Sequence, residues 1–515
     1  MNEKKDIKIP NWLWIISLII PIIAAVIRST VYPESLYALT LINVLWTSFT
    51  LVAFRGAKNI KQLLPVCVIT LVVYFFLVRG LLGNSLEVLF MPFFLVLLIP
   101  FLLDRLAFRK NPGNGLETLI FPFVYVAIIL LIEEFCFGTA YHFEYVFSQN
   151  TLLVQGASLI GGRGIYFMFL WLIDLVVTLI LTGKPEKRMK IILAIFSVLI
   201  GAMLIYDGVI VSRIPEESDT IKIAYTTGPY IGVFIDDEES NYDVITCEEA
   251  MASLEKSAKQ AKAEGAVLLT YNEEAFSLPY EDVTPFLEFA KETAVALQLN
   301  LLIGLEPYDD EEVELSENAL YMITTEGEIT AFHKNHLIPV LESSYYTEGS
   351  DQIGSATIQV DDREIKLAFA ICYDGEFADF VAEMDKDTDV LILPSWDWDA
   401  VDAHHASNVI LRSVENGVAM LKPTYDGTTV ATDAYGRIIA KTHTDDTGFE
   451  TVCTVDLPLN SHRTIYDRIH LFINVLIVFG AFGFTSEFII ADKFRNRNDD
   501  DLTPYLEQQK HMRQL

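Results

Sequence analysis

The chain has 515 residues, 52% of them hydrophobic, with 69 Asp and Glu against 37 Lys and Arg and a formal net charge of −32. So much apolar sequence at this length excludes an ordinary soluble globular protein and calls for membrane-spanning helices. The charge excludes a nucleic-acid binder, because phosphates would be repelled.

Apolar stretches long enough to cross a bilayer fall near residues 11–29, 36–54, 63–82, 86–104, 116–135, 164–182, 191–211 and 468–491. The first is too long, and too closely followed by others, for a cleaved signal peptide. Eight spans put both termini on one side. Basic residues flank alternate loops: Lys4, Lys5 and Lys8; Arg55, Lys58 and Lys61; Arg105, Arg109 and Lys110; Lys184, Lys187, Arg188 and Lys190; Lys493, Arg495 and Arg497. The intervening loops carry only Arg28, Arg79 and Arg163. The positive-inside rule therefore predicts cytoplasmic termini and an extracytoplasmic segment 212–466. The expected division is 1–211 with about seven helices, 212–466 as a folded domain, 467–492 as a last span and 493–515 as a cytoplasmic tail. Between Ile214 and Tyr466 lie 50 Asp and Glu against 14 Lys and Arg, so the negative charge is concentrated there. The runs Asp236–Glu239 and Asp309–Glu312 lack the spaced oxygen ligands and turn glycine of a calcium loop and read as solvated loops.

Within that segment strand-like and helix-like runs alternate. Ile221–Tyr225 reads as a strand and Cys247–Glu264 as an amphipathic helix ending at Gly265. Val267–Asn272 is a buried strand that delivers Glu273 at its carboxyl end. Pro285–Leu297 reads as a helix and Leu301–Leu305 as a strand. Phe332–Pro339 delivers Lys334, with Glu342 eight residues on. Ile365–Ile371 is a strand, Cys372–Glu376 the turn after it, and Phe377–Met384 the start of a helix. Val390–Leu393 reads as a strand and His404–Glu415 as a helix; Val418–Leu421, Thr428–Thr432 and Ile438–Lys441 read as strands. This alternation predicts an α/β fold with sheets covered by helices.

Alone, Cys372 reads as a buried small hydrophobe. Beside Glu273 and Lys334 it acquires a second reading, as a nucleophile. A thiol needs a neighbouring base and a cation to attack at neutral pH, and a lysine also suits the oxyanion that forms. The pairs His333/His336 and His404/His405 have no further ligand at metal spacing, so metal ligation is not expected. A Cys247–Cys453 disulfide is left open.

The segments around Glu273, Lys334 and Cys372 resemble the Glu–Lys–Cys signature of the nitrilase (carbon–nitrogen hydrolase) superfamily. His336-Leu337-Ile338-Pro339 and Ile371-Cys372-Tyr373 resemble its membrane-embedded branch, the apolipoprotein N-acyltransferases. Gln155-Gly156-Ala157-Ser158, Gly164–Phe167, Arg412 and Glu415 with Gly417, and Asp433–Arg437 are also similar to that branch. The chain departs from it with Tyr271-Asn272 in place of Trp-Pro, Asp374 in place of a glutamate, Tyr225–Pro229 in place of a Gln-containing opening, and Ser395–Asp399 as a loose match to Asn-Asp-Ala-Trp-Phe.

The resemblance implies an αββα sandwich inserted between seven transmembrane helices and one, with Glu273, Lys334 and Cys372 catalytic. Glu342, Asp374 and Tyr373 are expected to be accessory, with Trp396 and Trp398 on the substrate-access loop. It implies a multi-pass cell-membrane protein that moves an acyl chain from a phospholipid, through a Cys thioester, to a lipoprotein's N-terminal diacylglyceryl-cysteine, without metal or organic cofactor. The expected partners are lipid and lipoprotein, not nucleic acid. A membrane-tethered amidase acting on a small amide is the alternative. If Glu273 is not the base, Glu274, Glu342 and Asp374 are the next candidates.

Overall fold

The computed structural model describes residues 7, 9–30, 36–78, 91–133, 138–141, 143–183, 185–228, 245–309, 315–447 and 451–487. Lys4, Lys5, Lys8, Arg79, Lys184, Cys136, most of both acidic runs, residues 86–90 and the tail 493–515 lie outside them.

Among the described residues six helices are long and apolar enough to cross a membrane: Asn11–Arg28, Ala38–Gly56, Ile60–Val78, Leu153–Thr182, Lys187–Ser212 and Tyr466–Glu487. Two more apolar pieces lie among the first five. Leu116–Ile132 is shorter. Of the span expected at 86–104, the described residues form a 3₁₀ turn, Met91–Leu97, running into the helix Leu98–Lys110. Leu153–Thr182 is broken at Gly161, whose φ is +74°. A Cβ there would stand 2.4 Å from the Tyr466 ring, so this glycine lets the last helix start against the break.

Between the last two long helices the described residues form two large sheets, and Ser395–Trp396 pairs separately with Thr424–Tyr425. The first has the order Val452–Pro458, Thr220–Thr226, Leu268–Thr270, Asn300–Tyr308, Ala319–Ile323, Ile329–His333, with Phe276–Pro279 also paired to Asn300–Tyr308. The second has the order Ile438–His443, Thr428–Thr432, Ala419–Lys422, Val390–Ile392, Arg363–Phe369, Gly354–Val360. Alternation along the strands gives each sheet two apolar faces. Ile223, Leu268, Leu302 and Met322 of the first meet Ile365, Leu367, Val390 and Leu421 of the second in one core. Helices Cys247–Ala263 and Tyr280–Leu297 cover the outer face of the first sheet through Leu254, Ala258, Phe286 and Ala290. Helix Asp402–Asn416 covers the second through Val409 and Ile410. The result is a helix–sheet–sheet–helix sandwich, an α/β domain preceded by several apolar helices and followed by one.

Buried ion pairs join the sandwich to the apolar helices. Arg163 meets Glu133, Asp379 and Asn474, and Arg412 meets Glu415 at 2.6 Å and Glu144 at 3.3 Å. Such pairs offset their desolvation only when fully hydrogen-bonded, so they specify a seam as much as they stabilise it.

Two expectations are corrected, and one open question is answered. The helix expected at Phe377–Met384 is a 3₁₀ turn, Cys372–Glu376, followed by one α-turn, Ala378–Val381. The Asp374 carboxylate draws in the backbone N–H groups of Ile371, Asn335 and His336, which tightens the chain before a helix can propagate. The helix expected from Pro285 begins at Tyr280, with Pro285 tolerated inside it. Cys247 and Cys453 are free thiols; Cys247 points at the Asp282 carbonyl, 3.8 Å away.

Candidate active site

Three strand ends converge at one end of the sandwich. The chain leaves strand Leu268–Thr270 and turns through Glu273 and Glu274, the latter with φ +51°. This turn crosses strand Asn300–Tyr308 at Gly304, where a Cβ would lie 2.0 Å from the Asn272 carbonyl. Only glycine admits that approach, and it seats Glu273 over the sheet. Strand Ile329–His333 ends immediately before Lys334, and strand Arg363–Phe369 leads into Cys372.

Lys334 Nζ lies 2.8 Å from Glu273 Oε1 and 2.7 Å from Glu342 Oε1, with all three side chains largely withdrawn from solvent. Each carboxylate is further held. The Trp396 N–H donates to Glu273 Oε2 at 2.8 Å, and the Ile338 N–H to Glu342 Oε2 at 2.8 Å. Asn318 Nδ2 donates to Glu273 Oε1 at 2.8 Å and to Glu274 Oε1 at 2.6 Å. Cys372 is buried with φ +42°, in the left-handed region that non-glycine residues rarely enter. Its N–H donates to the Pro394 carbonyl at 2.8 Å and its Sγ lies 3.6 Å from the Trp396 carbonyl. Backbone strain of this kind persists only where the surroundings hold it.

The electrostatics set the resting state. Burial opposes the Lys334 ammonium, but Glu273, Glu342 and Cys372 outweigh it, and its pKa rises well above the usual range. Burial pushes the Cys372 thiol well up, Glu273 adds to this, Lys334 pulls it down, and Asp397 pushes it up again. The expected role of Lys334 in favouring the thiolate is thus outweighed at rest. Its charge is shared by two carboxylates, so the thiol keeps its proton until something displaces that balance. Burial likewise raises Glu274, with Glu306 and Glu273 adding to the effect.

The other expected residues divide. Glu342 is part of the cluster. Asp374 is turned away from it: its carboxylate ties the Cys372 turn to the Lys334 loop through Asn335, His336 and Ile371. Tyr373 packs edge-on against Phe377 at 5.3 Å. Trp396 serves through its backbone, and its ring meets Tyr425. Tyr373, Ile338, Val401 and the half-buried Trp398 belong to the same apolar cluster as Phe143 and Phe147, which precede the apolar helix Leu153–Thr182, and Val154 and Leu170 within it.

Sequence reasoning passed over Asn318 and Lys422, met Asp397 only within the loose match Ser395–Asp399, and set His405 aside as a metal ligand. Cys372 Sγ, an Asp397 oxygen and a His405 nitrogen lie within 4.8 Å of one another, a donor set that a thiophilic divalent ion accepts. Here the three are committed elsewhere. Lys422 Nζ is 2.5 Å from Asp397 Oδ2, His405 Nδ1 is 2.7 Å from Asp397 Oδ1, and His405 Nε2 is 3.1 Å from the Cys372 carbonyl oxygen. One sign was available: Lys422 is the lone charge in the apolar run Val418–Lys422, and an ammonium buried in a strand needs a partner.

The carbon–nitrogen hydrolase family model matches residues 244–467. The chain is 23% identical to the apolipoprotein N-acyltransferase of Rickettsia bellii over 378 residues, 69% of this chain and 72% of that protein. It is 22% identical to that of Rickettsia typhi over 323 residues, 59% of this chain and 63% of the relative, just under two thirds of its length. With the Chlamydia trachomatis protein of the same name it shares 26% identity over 236 residues, 38% of this chain and 42% of that one. Among solved structures, an amidase from Nesterenkonia sp. superposes with a TM-score of 0.40 at 18% identity, covering 52% of this chain and all of that one. Residues 244–467 thus match the carbon–nitrogen hydrolase family model and lie between apolar helices, in a chain similar in sequence to apolipoprotein N-acyltransferases.

Proposed function

We propose that this protein is a membrane N-acyltransferase in which Cys372 takes an acyl chain from a phospholipid and passes it to the α-amino group of a diacylglyceryl-cysteine. The observation that carries this reading is the continuity of the site. The Glu273–Lys334–Glu342 cluster and Cys372 adjoin apolar side chains, Tyr373, Trp398, Val401 and Ile338, that pack with the membrane helices.

In the first half-reaction Glu273 takes the thiol proton as Cys372 Sγ attacks the ester carbonyl, and Lys334 faces the oxyanion. The C–O bond then breaks, the leaving lysophospholipid oxygen takes the proton back from Glu273, and a thioester remains. In the second, Glu273 accepts a proton from the attacking amine. The C–S bond breaks, the amide forms and the thiol is regenerated. An apolar surround keeps water from the thioester, so an amine competes with hydrolysis. The same surround counts against the amidase alternative, which needs water at that point.

The orientation proposed is that expected from the basic loops: both termini cytoplasmic and the sandwich outside. An impermeant thiol reagent on intact cells should label a cysteine placed near Glu311, and labelling only after lysis would reverse the orientation. Intact-mass measurement of the protein purified in phospholipid should reveal a hydroxylamine-labile acyl adduct on Cys372 that an amine acceptor discharges. An unmodified Cys372 throughout turnover would remove the thioester route.

A further inference from the structure

The nucleophile has charged neighbours on two sides, and the Glu–Lys–Cys chemistry uses only one of them. On the second side, Lys422 Nζ meets both Asp397 Oδ2 and Thr424 Oγ1, the latter at 3.0 Å. Asp397 Oδ1 faces His405 Nδ1, and His405 Nε2 faces the Cys372 carbonyl oxygen. Glu376 Oε1 stands 3.9 Å from His405 Nε2. Lys422, Asp397 and His405 are all buried. No surface charge needs this arrangement, and three buried polar groups in a row are costly unless each is satisfied.

We propose that Lys422, Asp397 and His405 position the nucleophile as one assembly: His405 holds the Cys372 carbonyl, Asp397 orients His405, and Lys422 neutralises Asp397 beside the thiol. Three observations support the assignment. Cys372 sits at φ +42°, where its carbonyl needs an external donor to keep the turn in place, and His405 supplies one. Asp397 has a direct unfavourable effect on the thiol, alongside Glu273 and Glu342 and against Lys334. The Asp397 carboxylate nonetheless stays ionised in the core. Burial works against it, but Lys422 and His405 outweigh burial and bring its pKa down to about 2. An uncompensated carboxylate so close to Sγ would disable the thiol, and Lys422, the larger of the two compensating charges, together with His405 prevents this.

The assignment rests on Cys372 being the nucleophile, and the test separates the two ideas. Full-length protein in phospholipid nanodiscs is alkylated with iodoacetamide across a pH series, and Cys372 labelling is read by peptide mass spectrometry per folded molecule. Lys422→Met should move the alkylation midpoint up by about one pH unit, since it removes the larger of the two charges that compensate Asp397. Lys422→Arg should restore it. Asp397→Asn should move the midpoint down, while His405→Leu should lower the plateau rate about tenfold by releasing the carbonyl, with His405→Gln recovering part of it. A role in folding alone would reduce the folded fraction without moving midpoints in opposite directions. An unchanged midpoint in Lys422→Met, or shifts of the same sign in Lys422→Met and Asp397→Asn, would overturn the proposal. Failure of the nucleophile reading has its own signature: no acyl adduct on wild-type Cys372 in lipid, whatever the alkylation midpoints show.

Discussion

The carboxylate–lysine cluster of Glu273, Lys334 and Glu342 and the carboxylate–arginine cluster of Arg55, Asp104 and Asp174 are both buried, and each joins one cation to two acids. In the apolar helices Arg55 grips Asp104 through Nε and Nη2 at 2.8 and 2.6 Å, Asp174 at 2.7 Å and Thr178 at 2.9 Å, with Phe108 4.4 Å from its guanidinium. A planar fork held on several sides makes a fixed joint between three helices. At the sandwich end the cation is a lysine, a point charge on a flexible stem. It stands beside a thiol and among residues with positive φ, Cys372, Glu274 and Val340. The same charge balance thus serves as a rivet in one place and as a poised site in the other. What differs is the geometry of the cation and the strain around it.

The comparison breaks most visibly at the nucleophile. Cys372→Ser should lose the acyl adduct and essentially all turnover, because an alkoxide is far harder to form than a thiolate near neutral pH; mass spectrometry and turnover in lipid check this. Glu273→Gln should slow both thioester formation and its discharge by about 10²–10⁴-fold, because an amide cannot accept a proton. Lys334→Ala should chiefly block thioester formation. Rapid-quench measurement of the two half-reactions separates these variants, and wild-type rates in Glu273→Gln would move the base elsewhere.

In the membrane cluster the loss should appear as stability. Arg55→Met strands Asp104 and Asp174 together, and breaking such a buried pair costs about 3–5 kcal/mol. Thermal unfolding in detergent should register it, while Cys372 alkylation per folded molecule stays unchanged. A change in alkylation would mean that the two clusters are coupled.

Acid titration sharpens the contrast further. The folded pKa of Asp397 lies near 2, below that of an unfolded aspartate. Its contribution is therefore present above about pH 4 and is lost as pH falls towards 2, amounting to about 2 kcal/mol. Acid unfolding of wild type should steepen over that window and that of Asp397→Asn should not. An effect of similar size belongs to the seam. Gly161→Ala forces a Cβ against Tyr466 at positive φ and should cost roughly 1–3 kcal/mol, measured as a lower melting temperature.

Glu273 and Cys372 could be read from the chain because each follows a short apolar strand, and Lys334 because its segment Phe332–Pro339 completes the set; the strand before it, Ile329–His333, is mostly exposed and was not read. The apolar helices were equally legible, because hydrophobic length is a local property. The helix after Cys372 was misread because its apolar residues match a helical period, while the Asp374 carboxylate competes for the backbone N–H groups that a helix needs. Asp374 itself was expected near the nucleophile, and proximity along the chain concealed that its side chain points towards Asn335 and His336.

By itself the sequence determined the helix–sheet alternation, the apolar spans, the concentration of acidic charge between Ile214 and Tyr466 and the three strand-end residues, all of which are encoded over windows of a few to some twenty residues. Only the tertiary structure decided that Lys422 would neutralise Asp397, that Asn318 would bridge Glu273 and Glu274, and that Arg163 would fasten Asp379 and Asn474 to the kinked helix. The physical reason is that a buried charge is tolerated only with a partner, and these partners lie up to 311 positions apart in the chain, where no periodicity connects them.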